Sequence, residues 1–426
     1  MIVLLMFLAL VAMVCINVPI AIALCLAAIL GIAVTDGVEA LVIVGIEMYS
    51  GAQSFSLIAI PMFVLAGAIM NSTGITRRII AFVSALIGFV RGGLGMVNIG
   101  VSLFFAEISG SAVADVAALG SVMIPEMKRR GYSGPLAAAI TSSSASLAII
   151  IPPSIPMILY GVSAGASIQE LFVAGIVPGL LGAAGLMGVA YAFAKRYNLP
   201  REEAFQFKRL RKTFVDALPA FMLPVIILGG IFGGLVTATE GAGLAVVASI
   251  AVGIFYREID WKQLKTAMVE GGVQTAVVML LVAASVLMGG YLTSARIPQD
   301  IAQGMLELTS NKYVILLILN VFFLIIGFFL HSAAAIILVI PIIVPLINQA
   351  GIDPVHFGLV VTLNLAIGQQ TPPVASVLIT SCSIAKANIW EVSKVNIYFV
   401  AVLLAVLLLC TYVPSVPMFL PDLFYR

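Results

Sequence analysis

Four short stretches rich in small, hydroxyl-bearing and proline residues interrupt the most apolar parts of the chain, at 108–111, 142–154, 330–332 and 364–373. Proline interrupts a helix and leaves backbone carbonyls without partners. Carbonyl, hydroxyl and amide oxygens are hard ligands of the kind that suit an alkali cation. The pattern therefore predicts two Na⁺ sites, one in each half of the chain. The predicted ligands of the first site are Ser109, Gly110, Ser144, Pro152 and Ser154, and those of the second are Ser332, Asn364, Gly368, Thr371 and Pro372.

Each hydroxyl also has a simpler alternative role. Ser and Thr side chains inside helices often bond a carbonyl of the preceding turn of their own helix. Under that interpretation the stretches would only bend helices. Transport that stays equally fast when choline replaces sodium would contradict the two cation sites.

A negatively charged substrate is expected to lie between the same stretches. No spanning segment carries a pair of basic side chains, but helix amino ends attract anions through their unpaired N–H groups and dipole. Ser111 is predicted to cap a helix that runs through Asp115, and the segment after Pro156 provides a second amino end. Ionisable groups at membrane depth are expected to be functional. The predicted substrate contacts are Ser111, Asp115, His331 and Gln369.

The composition indicates the class of protein. Of the 426 residues, 62% are hydrophobic and only 9% are charged, and the mean hydropathy is +1.19. A soluble domain of this length would aggregate with such a composition. The chain is therefore predicted to be an all-α polytopic protein of the lipid bilayer with about ten transmembrane helices. We expect no nucleic-acid partner.

Four apolar segments are too short for ordinary spans and occur in pairs, at 92–107 with 112–126 and at 312–330 with 333–349. A helix needs about 20 residues to cross the hydrocarbon core. The pairs are therefore predicted to be re-entrant helical hairpins, each entering and leaving on one side. Two ordinary short spans joined by a tight turn are the alternative.

The distribution of basic residues favours the hairpins. With the amino terminus in the periplasm and both pairs folded as hairpins, all but three of the 21 Lys and Arg residues fall in the cytoplasm. The exceptions are Arg296, Lys312 and Arg426. This distribution satisfies the positive-inside rule. Through-going spans would instead place the basic run at 195–212 outside.

The two halves of the chain are related. The proline pairs at 152–153 and 372–373 are 220 residues apart, and the same offset relates Pro125 to Pro345 and Gly131 to Gly351. Because the two hairpins are predicted to enter from opposite sides, the halves form an inverted-topology repeat. Such repeats are typical of secondary transporters with sites where broken helices meet at the midplane. A channel with re-entrant half-helices is the main competing architecture.

The repeat suggests a division of the chain into moving and static parts. The basic stretch from Tyr197 to Phe214 is predicted to be an amphipathic helix on the cytoplasmic face, with a solvated linker as the alternative. The expected parts are scaffold and arm helices at 1–70, the first hairpin and broken helix of a transport domain at 71–161, scaffold helices and the cytoplasmic amphipathic helix at 162–267, the second arm, hairpin and broken helix at 268–385, and a final scaffold helix with a periplasmic tail at 386–426.

Four runs of the sequence resemble a known family. They are ISGSAVAD at 108–115, IPPSIP at 151–156, TATE at 237–240 and NLAIGQQTPP at 364–373. In this order they are similar to the large membrane subunit of tripartite ATP-independent periplasmic (TRAP) transporters, over essentially the whole chain. The residues themselves assign Glu240, in the third run, only to a turn near the periplasmic surface.

The resemblance implies a function and partners. It implies an elevator-type transporter of the bacterial inner membrane, driven by Na⁺, that takes up an organic acid. It also implies two partners, a small membrane subunit of four helices and a periplasmic substrate-binding protein. The overall sequence is most similar to sialic-acid members, so N-acetylneuraminate is the expected substrate. A C4-dicarboxylate transporter and a stand-alone sodium/carboxylate symporter are the alternatives.

Two other classes of protein fit the residues less well. A channel built from inverted repeats would be expected to have matching hairpin tips, whereas these tips differ. An intramembrane protease could use only Ser332 beside His331, and residues adjacent in sequence point away from each other on a helix. The chain is therefore predicted not to be an enzyme.

Overall fold

In the computed structural model, the described residues are 6, 8–10, 12, 13, 16, 18–201, 204–259 and 261–425, with the side chains at 72, 107–109, 263, 267, 270 and 274 left aside. The regular elements in these ranges are helical. Those of the first half are α1 (Ile20–Thr35), α2 (Val42–Ala52), α3 (Ala59–Ser72), α4 (Ile75–Ile87), α5 (Gly93–Ser109), α6 (Ala112–Arg129), α7 (Gly134–Ala145), α8 (Ile155–Ala164) and α9 (Ile168–Arg196). Those of the second half are α10 (Phe207–Phe232), α11 (Ala238–Tyr256), α12 (Trp261–Ser294), α13 (Ile297–Leu308), α14 (Lys312–Phe329), α15 (Ser332–Gln349), α16 (Pro354–Gly368), α17 (Ser376–Ala385), α18 (Ile389–Tyr412) and α19 (Ser415–Tyr425).

The helices confirm a polytopic membrane protein. By length and composition, seven helices in the described part could each cross a membrane, or eight if the bent pair α2 and α3 forms one span. Helices α7 and α8 are too short to cross alone, and so are α16 and α17, but each pair runs in series across a break. The predicted broken helices are therefore present in both halves of the chain.

The first predicted hairpin is formed by α5 and α6. Its base lies beside the start of α7, because the N–H of Gly95 donates a hydrogen bond of 3.0 Å to the Tyr132 hydroxyl. Its tip, at Gly110, lies against the break that follows α7, beside Pro153. The hairpin therefore runs alongside α7 from its start to its end and stops where the broken helix is interrupted, as a re-entrant element does.

The second hairpin, formed by α14 and α15, has the same relation to α16. Lys312 at its base and His356 in the first turn of α16 line one cavity. Near its tip, the carbonyl of Phe328 accepts a hydrogen bond of 3.3 Å from the N–H of Val374, in the break after α16. Both tips therefore lie at interrupted helices, which confirms the hairpins.

The structure shows the internal repeat in its backbone. Gly74 precedes α4 with φ 64°, and Arg296 precedes α13 with φ 58°. Ser133 and Asp353, which are 220 residues apart, cap α7 and α16 through their side chains. Both proline pairs contain a cis peptide bond. The repeat was predicted from spacing alone, and equivalent positions adopt equivalent conformations.

The two repeats interlock instead of forming separate halves. The second arm of the first hairpin, α6, packs against α17 of the second repeat, while α15 packs against α8 of the first. Helix α18 packs on both α7 and α16, one from each repeat. Each break is therefore surrounded by elements of both repeats. The boundaries expected for scaffold and transport domains stay a prediction.

The predicted amphipathic helix from Tyr197 to Phe214 is wrong in its first half. Helix α10 begins only at Phe207, and the described residues between Tyr197 and this helix are not helical. There the carbonyl of Pro200 accepts a hydrogen bond of 3.1 Å from the N–H of Gly92, and Leu199 is buried. A tertiary pairing thus satisfies the backbone that a helix would otherwise have satisfied.

Candidate functional site

The first break is a compact turn between two half-helices. Helix α7 continues into a 3₁₀ turn at Ser146–Ile149, and α8 begins at Ile155 after the proline pair. The Ser154 hydroxyl donates a hydrogen bond of 2.7 Å to the carbonyl of Ile149 and accepts one of 3.4 Å from the N–H of Met157. Ser154 thus fastens the two half-helices together and caps the second one.

The tip of the first hairpin is fitted against this break. Gly110 has φ 57°, and a Cβ atom there would lie 2.9 Å from the Pro153 carbonyl oxygen and 3.1 Å from the Ile155 nitrogen. Glycine tolerates both the backbone conformation and the close approach. Gly110, Pro152 and Ser154 are therefore brought together. The side chain of Ser109, also predicted as a ligand, lies outside the described part of the chain.

Ser144 lies in a buried polar chain between α5 and α7. Its hydroxyl accepts a hydrogen bond of 2.9 Å from Ser102 and donates one of 3.1 Å to the Thr141 carbonyl. The side chain of Asn98 donates to the Thr141 hydroxyl at 2.6 Å. A hydroxyl oxygen has two acceptor positions. Ser144 therefore bonds its own helix, as the simpler alternative requires, and retains one acceptor position that a cation could occupy.

The second break follows α16 and is packed backbone to backbone on its hairpin. A Cβ atom on Gly368 would lie 2.5 Å from the carbonyl carbon of Gly327 in α14. The Thr371 hydroxyl donates to the Ile367 carbonyl at 3.1 Å. Ser332 is buried at the start of α15, across the hairpin tip. Gly368, Thr371 and Pro372 lie on one segment, and Ser332 lies at the start of the second arm of the neighbouring hairpin.

Among the predicted ligands, Asn364 has the clearest chemical features of a cation ligand. Its side-chain nitrogen donates hydrogen bonds to the Asn320 side-chain oxygen at 2.7 Å and to the Val360 carbonyl at 2.8 Å. Its Oδ1 atom is buried and has no hydrogen-bond partner. A buried acceptor without a partner is costly. The donor set at the second break therefore fits a small cation, because both hydrogen atoms of the amide are used and its oxygen is not.

The residues predicted to contact the substrate are scattered around the two tips. Ser111 is the residue before α6, and Asp115 is buried in the first turn of that helix. His331 is exposed at the second tip. Gln369 instead spans the second break, where its carbonyl accepts from the N–H of Val377 at 3.2 Å and its side-chain oxygen from Ser376 at 3.4 Å.

Buried amides near the breaks were missed from the sequence. Asn98 and Asn320 lie in the largely apolar first arms of the two hairpins, which is a signal that the sequence contains. Asn396 in α18 and Gln370 at the second break are also buried. Their partners lie on distant segments, so spacing along the chain could not have identified them.

Two further interpretations were tested by the structure. In the predicted topology His356 falls in a periplasmic turn and would be a surface residue, but it is 3% exposed, and its ring Nε2 lies 2.8 Å from the carbonyl oxygen of Cys410. That expectation is wrong, because α18 covers the start of α16. Glu240 forms a capping box, in which its carboxylate accepts from the Thr237 N–H at 2.8 Å. Its position in the third motif thus has a structural explanation.

Comparison with known proteins decides the family. Residues 7–416 match the family described as "Tripartite ATP-independent periplasmic transporter, DctM component". The chain belongs to this family. It is 42% identical over 95% of its length to the isethionate TRAP transporter permease protein DctMQ of Oleidesulfovibrio alaskensis, and it spans 64% of that protein. It is 36% identical to the sialic acid TRAP transporter large permease protein SiaM of Vibrio cholerae, over 89% of each chain.

Other similarities to this TRAP family member extend the comparison. The C4-dicarboxylate large permease protein DctM of Pseudomonas aeruginosa is 36% identical, over 88% of each chain. The crystal structure of the YdaH transporter from Alcanivorax borkumensis has a TM-score of 0.61, with 14% identity and 89% of each chain covered. That similarity concerns the fold alone. The chain is thus a membrane component of a TRAP transporter, while the relatives' names mention different substrates.

Proposed function

We propose that this TRAP membrane component moves an organic acid across the bacterial inner membrane, driven by a Na⁺ gradient. The amino terminus is placed in the periplasm, because that topology keeps most basic residues in the cytoplasm. The observation that carries the proposal is the pairing of each hairpin tip with a broken helix, at Gly110 with Pro153 and at Gly327 with Gly368. Inverted repeats that meet in this way are typical of ion-coupled carriers.

Sodium is the proposed coupling ion because the oxygens at both breaks are neutral. At the first break the ligands are Ser109, Gly110, Ser144, Pro152 and Ser154, and at the second they are Ser332, Asn364, Gly368, Thr371 and Pro372. The partnerless Oδ1 of Asn364 supports the second site. The acceptor position left on Ser144 supports the first. Carbonyl, hydroxyl and amide oxygens suit a hard cation.

The substrate is proposed to be an organic anion that binds between the two hairpin tips. Ser111 and Asp115 at the start of α6, His331 at the second tip and Gln369 are the proposed contacts. N-acetylneuraminate is the first candidate, on the overall resemblance of the sequence and the 36% identity to the sialic acid permease SiaM. Isethionate is the second candidate, because the relative named for it is 42% identical over 95% of this chain. C4-dicarboxylates follow, on the 36% identity to DctM.

The transport cycle is proposed to need two partners. A periplasmic binding protein would deliver the substrate, and a small membrane subunit would complete the complex. The hairpins and broken helices, together with the part of α18 that bonds them, would move as a body against the remaining helices, as in an elevator. The family membership and the tightly packed hairpin tips support this mechanism. A hairpin tip that packs closely against a broken helix can move together with that helix.

Reconstitution tests the proposal. The chain, its small membrane subunit and its binding protein are placed in proteoliposomes, and uptake of labelled N-acetylneuraminate, isethionate and succinate is measured with an inward gradient of Na⁺ or of choline. Saturable uptake that requires both Na⁺ and the binding protein is expected for one of these anions. Equal uptake in choline would contradict the sodium coupling. Uptake that rises linearly without saturation would indicate a channel.

A further inference from the structure

One buried amide joins the two repeats. Asn396, in α18, is 1% exposed. Its side-chain oxygen accepts a hydrogen bond of 2.7 Å from the hydroxyl of Ser143 in α7. Its side-chain nitrogen donates a hydrogen bond of 3.2 Å to the main-chain carbonyl of Gln370. Ser143 belongs to the first broken helix and Gln370 to the second break, so a single side chain bonds both.

Both partners of Asn396 lie next to proposed cation ligands. Ser143 precedes Ser144, and Gln370 precedes Thr371 and its proline. The Gln370 carbonyl is one of the groups that the break releases from helical hydrogen bonding, and Asn396 supplies its donor. Asn396 therefore influences which carbonyls at the second break remain available to a cation. Through Ser143 it also influences where the Ser144 hydroxyl is held.

Because all three residues are buried, the loss of either hydrogen bond is costly. Ser143 and Gln370 are, like Asn396, at most 1% exposed, so water cannot replace a lost partner. A buried polar group that loses its partner is destabilised by its full desolvation cost. If α7 shifts relative to the second break, Asn396 must either follow or lose one bond. The positions of the two breaks are therefore coupled.

We propose that Asn396 is a positioning residue that couples the two Na⁺ sites, so that occupancy of one site raises the affinity of the other. This inference rests on the proposed sodium coupling. It gives α18, which lies outside the motifs of the two breaks, a role in coupling the two sites. Coupling of this kind is reciprocal and typically amounts to a change in affinity of about fivefold to 150-fold.

Hydrogen exchange of the whole chain in lipid nanodiscs tests the coupling without a substrate. Na⁺ replaces choline at constant ionic strength, and protection is followed in peptides that cover 142–154 and 364–376. In the wild-type protein both peptides are expected to become protected at one Na⁺ concentration. Ser144→Ala, which weakens the first site, should raise the midpoint of both peptides, including the distant one, by about fivefold or more.

Two variants remove the link. In Asn396→Leu the two midpoints are expected to separate, and adding Ser144→Ala should then move only the peptide at 142–154. Ser143→Ala removes one hydrogen bond with a much smaller change of volume, and it provides the same test if Asn396→Leu fails to fold. Ser381→Ala is the matched control, because that buried hydroxyl donates to the Leu378 carbonyl of its own helix, at 2.8 Å.

The outcomes separate the two proposals. Wild-type peptides that show no Na⁺-dependent protection would contradict the sodium sites themselves. Wild-type peptides that titrate independently would overturn the coupling and leave the sites intact. Peptides that still titrate together in Asn396→Leu and Ser143→Ala would overturn the role of Asn396. If Asn396→Leu loses protection uniformly in choline and its two midpoints do not separate, the amide of Asn396 is only structural.

Discussion

Gly110 and Pro153 are in such close contact that any side chain at position 110 would meet the Pro153 carbonyl oxygen, 2.9 Å from the nearest possible Cβ. The contact joins the tip of one hairpin to the interrupted part of the next helix. It involves backbone on both sides, so it does not depend on the length or flexibility of a side chain. The fit of the tip against the break therefore depends on the absence of a side chain at position 110.

Replacing Gly110 should show what this contact contributes. Gly110→Ala is expected to cost more free energy in the apparent Na⁺ affinity of uptake than in the stability of the fold. The reason is that the Cβ pushes the tip away from the break. The control is Gly131→Ala. Gly131 also has a positive φ, of 90°, but nothing lies within 4 Å of its Cβ position. Both variants carry a backbone cost of about 1–2 kcal/mol. Equal Na⁺ activation curves for the two variants would contradict the prediction.

The second tip should respond in the same way to Gly368→Ala. The added methyl group would lie 2.5 Å from backbone atoms of Gly327, and neither helix can yield without moving the other. We expect loss of Na⁺-dependent uptake, together with a lower unfolding temperature. Gly188→Ala, in α9, has open space around its Cβ position and should be neutral or stabilising by up to about 1 kcal/mol. If Gly368→Ala transports like the wild type, uptake does not depend on the backbone contact at this tip.

Asn364→Ala tests the second cation site. If its partnerless Oδ1 binds Na⁺, the concentration for half-maximal Na⁺ activation should rise by about fivefold to 100-fold, corresponding to about 1–3 kcal/mol. Ser144→Ala should give a change of the same sign at the first site. Sodium-dependent uptake at fixed ionic strength is the measurement. Thr362→Val is a control, because that buried hydroxyl donates to the Leu359 carbonyl of its own helix, at 2.9 Å. An unmoved activation curve for both site variants would show that the ligands are misassigned.

An ion-pair cluster outside the spanning helices should give the protein a pH-dependent stability. Hydrogen bonds from Arg78, at 3.0 Å, and the charges of Arg77 and Arg78 hold the pKa of the Glu258 carboxyl below its usual value. A lowered pKa means that the stabilisation is present above the usual glutamate value of about 4.5 and is lost as the pH falls through the lower folded value. Arg78 also lies 3.7 Å above the ring of Tyr256.

Glu258→Gln should therefore lower stability near pH 7 by about 0.5–1 kcal/mol and leave it unchanged in acid. Thermal unfolding between pH 3 and pH 7 would show the two curves converge as the carboxylate of the wild type is protonated. Glu126→Gln provides the comparison, because Glu126 pairs with Arg129 and Arg130 at 3.3 Å within one exposed helical end. It should have a smaller effect. Parallel curves for Glu258→Gln and the wild type would exclude the ion pair as a source of stability.

Much of the architecture follows from periodic features of the sequence. The apolar composition indicates membrane helices, the offset of 220 residues reveals the repeat, and the positions of Lys and Arg favour the hairpins over spans. Each of these is a local or additive property, so it can be inferred from the amino-acid sequence without knowledge of tertiary contacts. The non-helical segment before α10 shows the limit, since its charged and amphipathic residues suggest a helix. A pairing with Gly92 decided otherwise.

The sequence by itself thus determined the positions of both breaks, because proline and glycine act on their own backbone wherever they occur. The tertiary structure alone decided which polar groups near the breaks are already bonded. Asn364 retains an oxygen without a partner, whereas Asn396 uses its oxygen to bind Ser143, 253 residues away. The two asparagines are chemically identical. They differ because hydrogen bonding in a buried core depends on which segments pack together, and no local pattern contains that information.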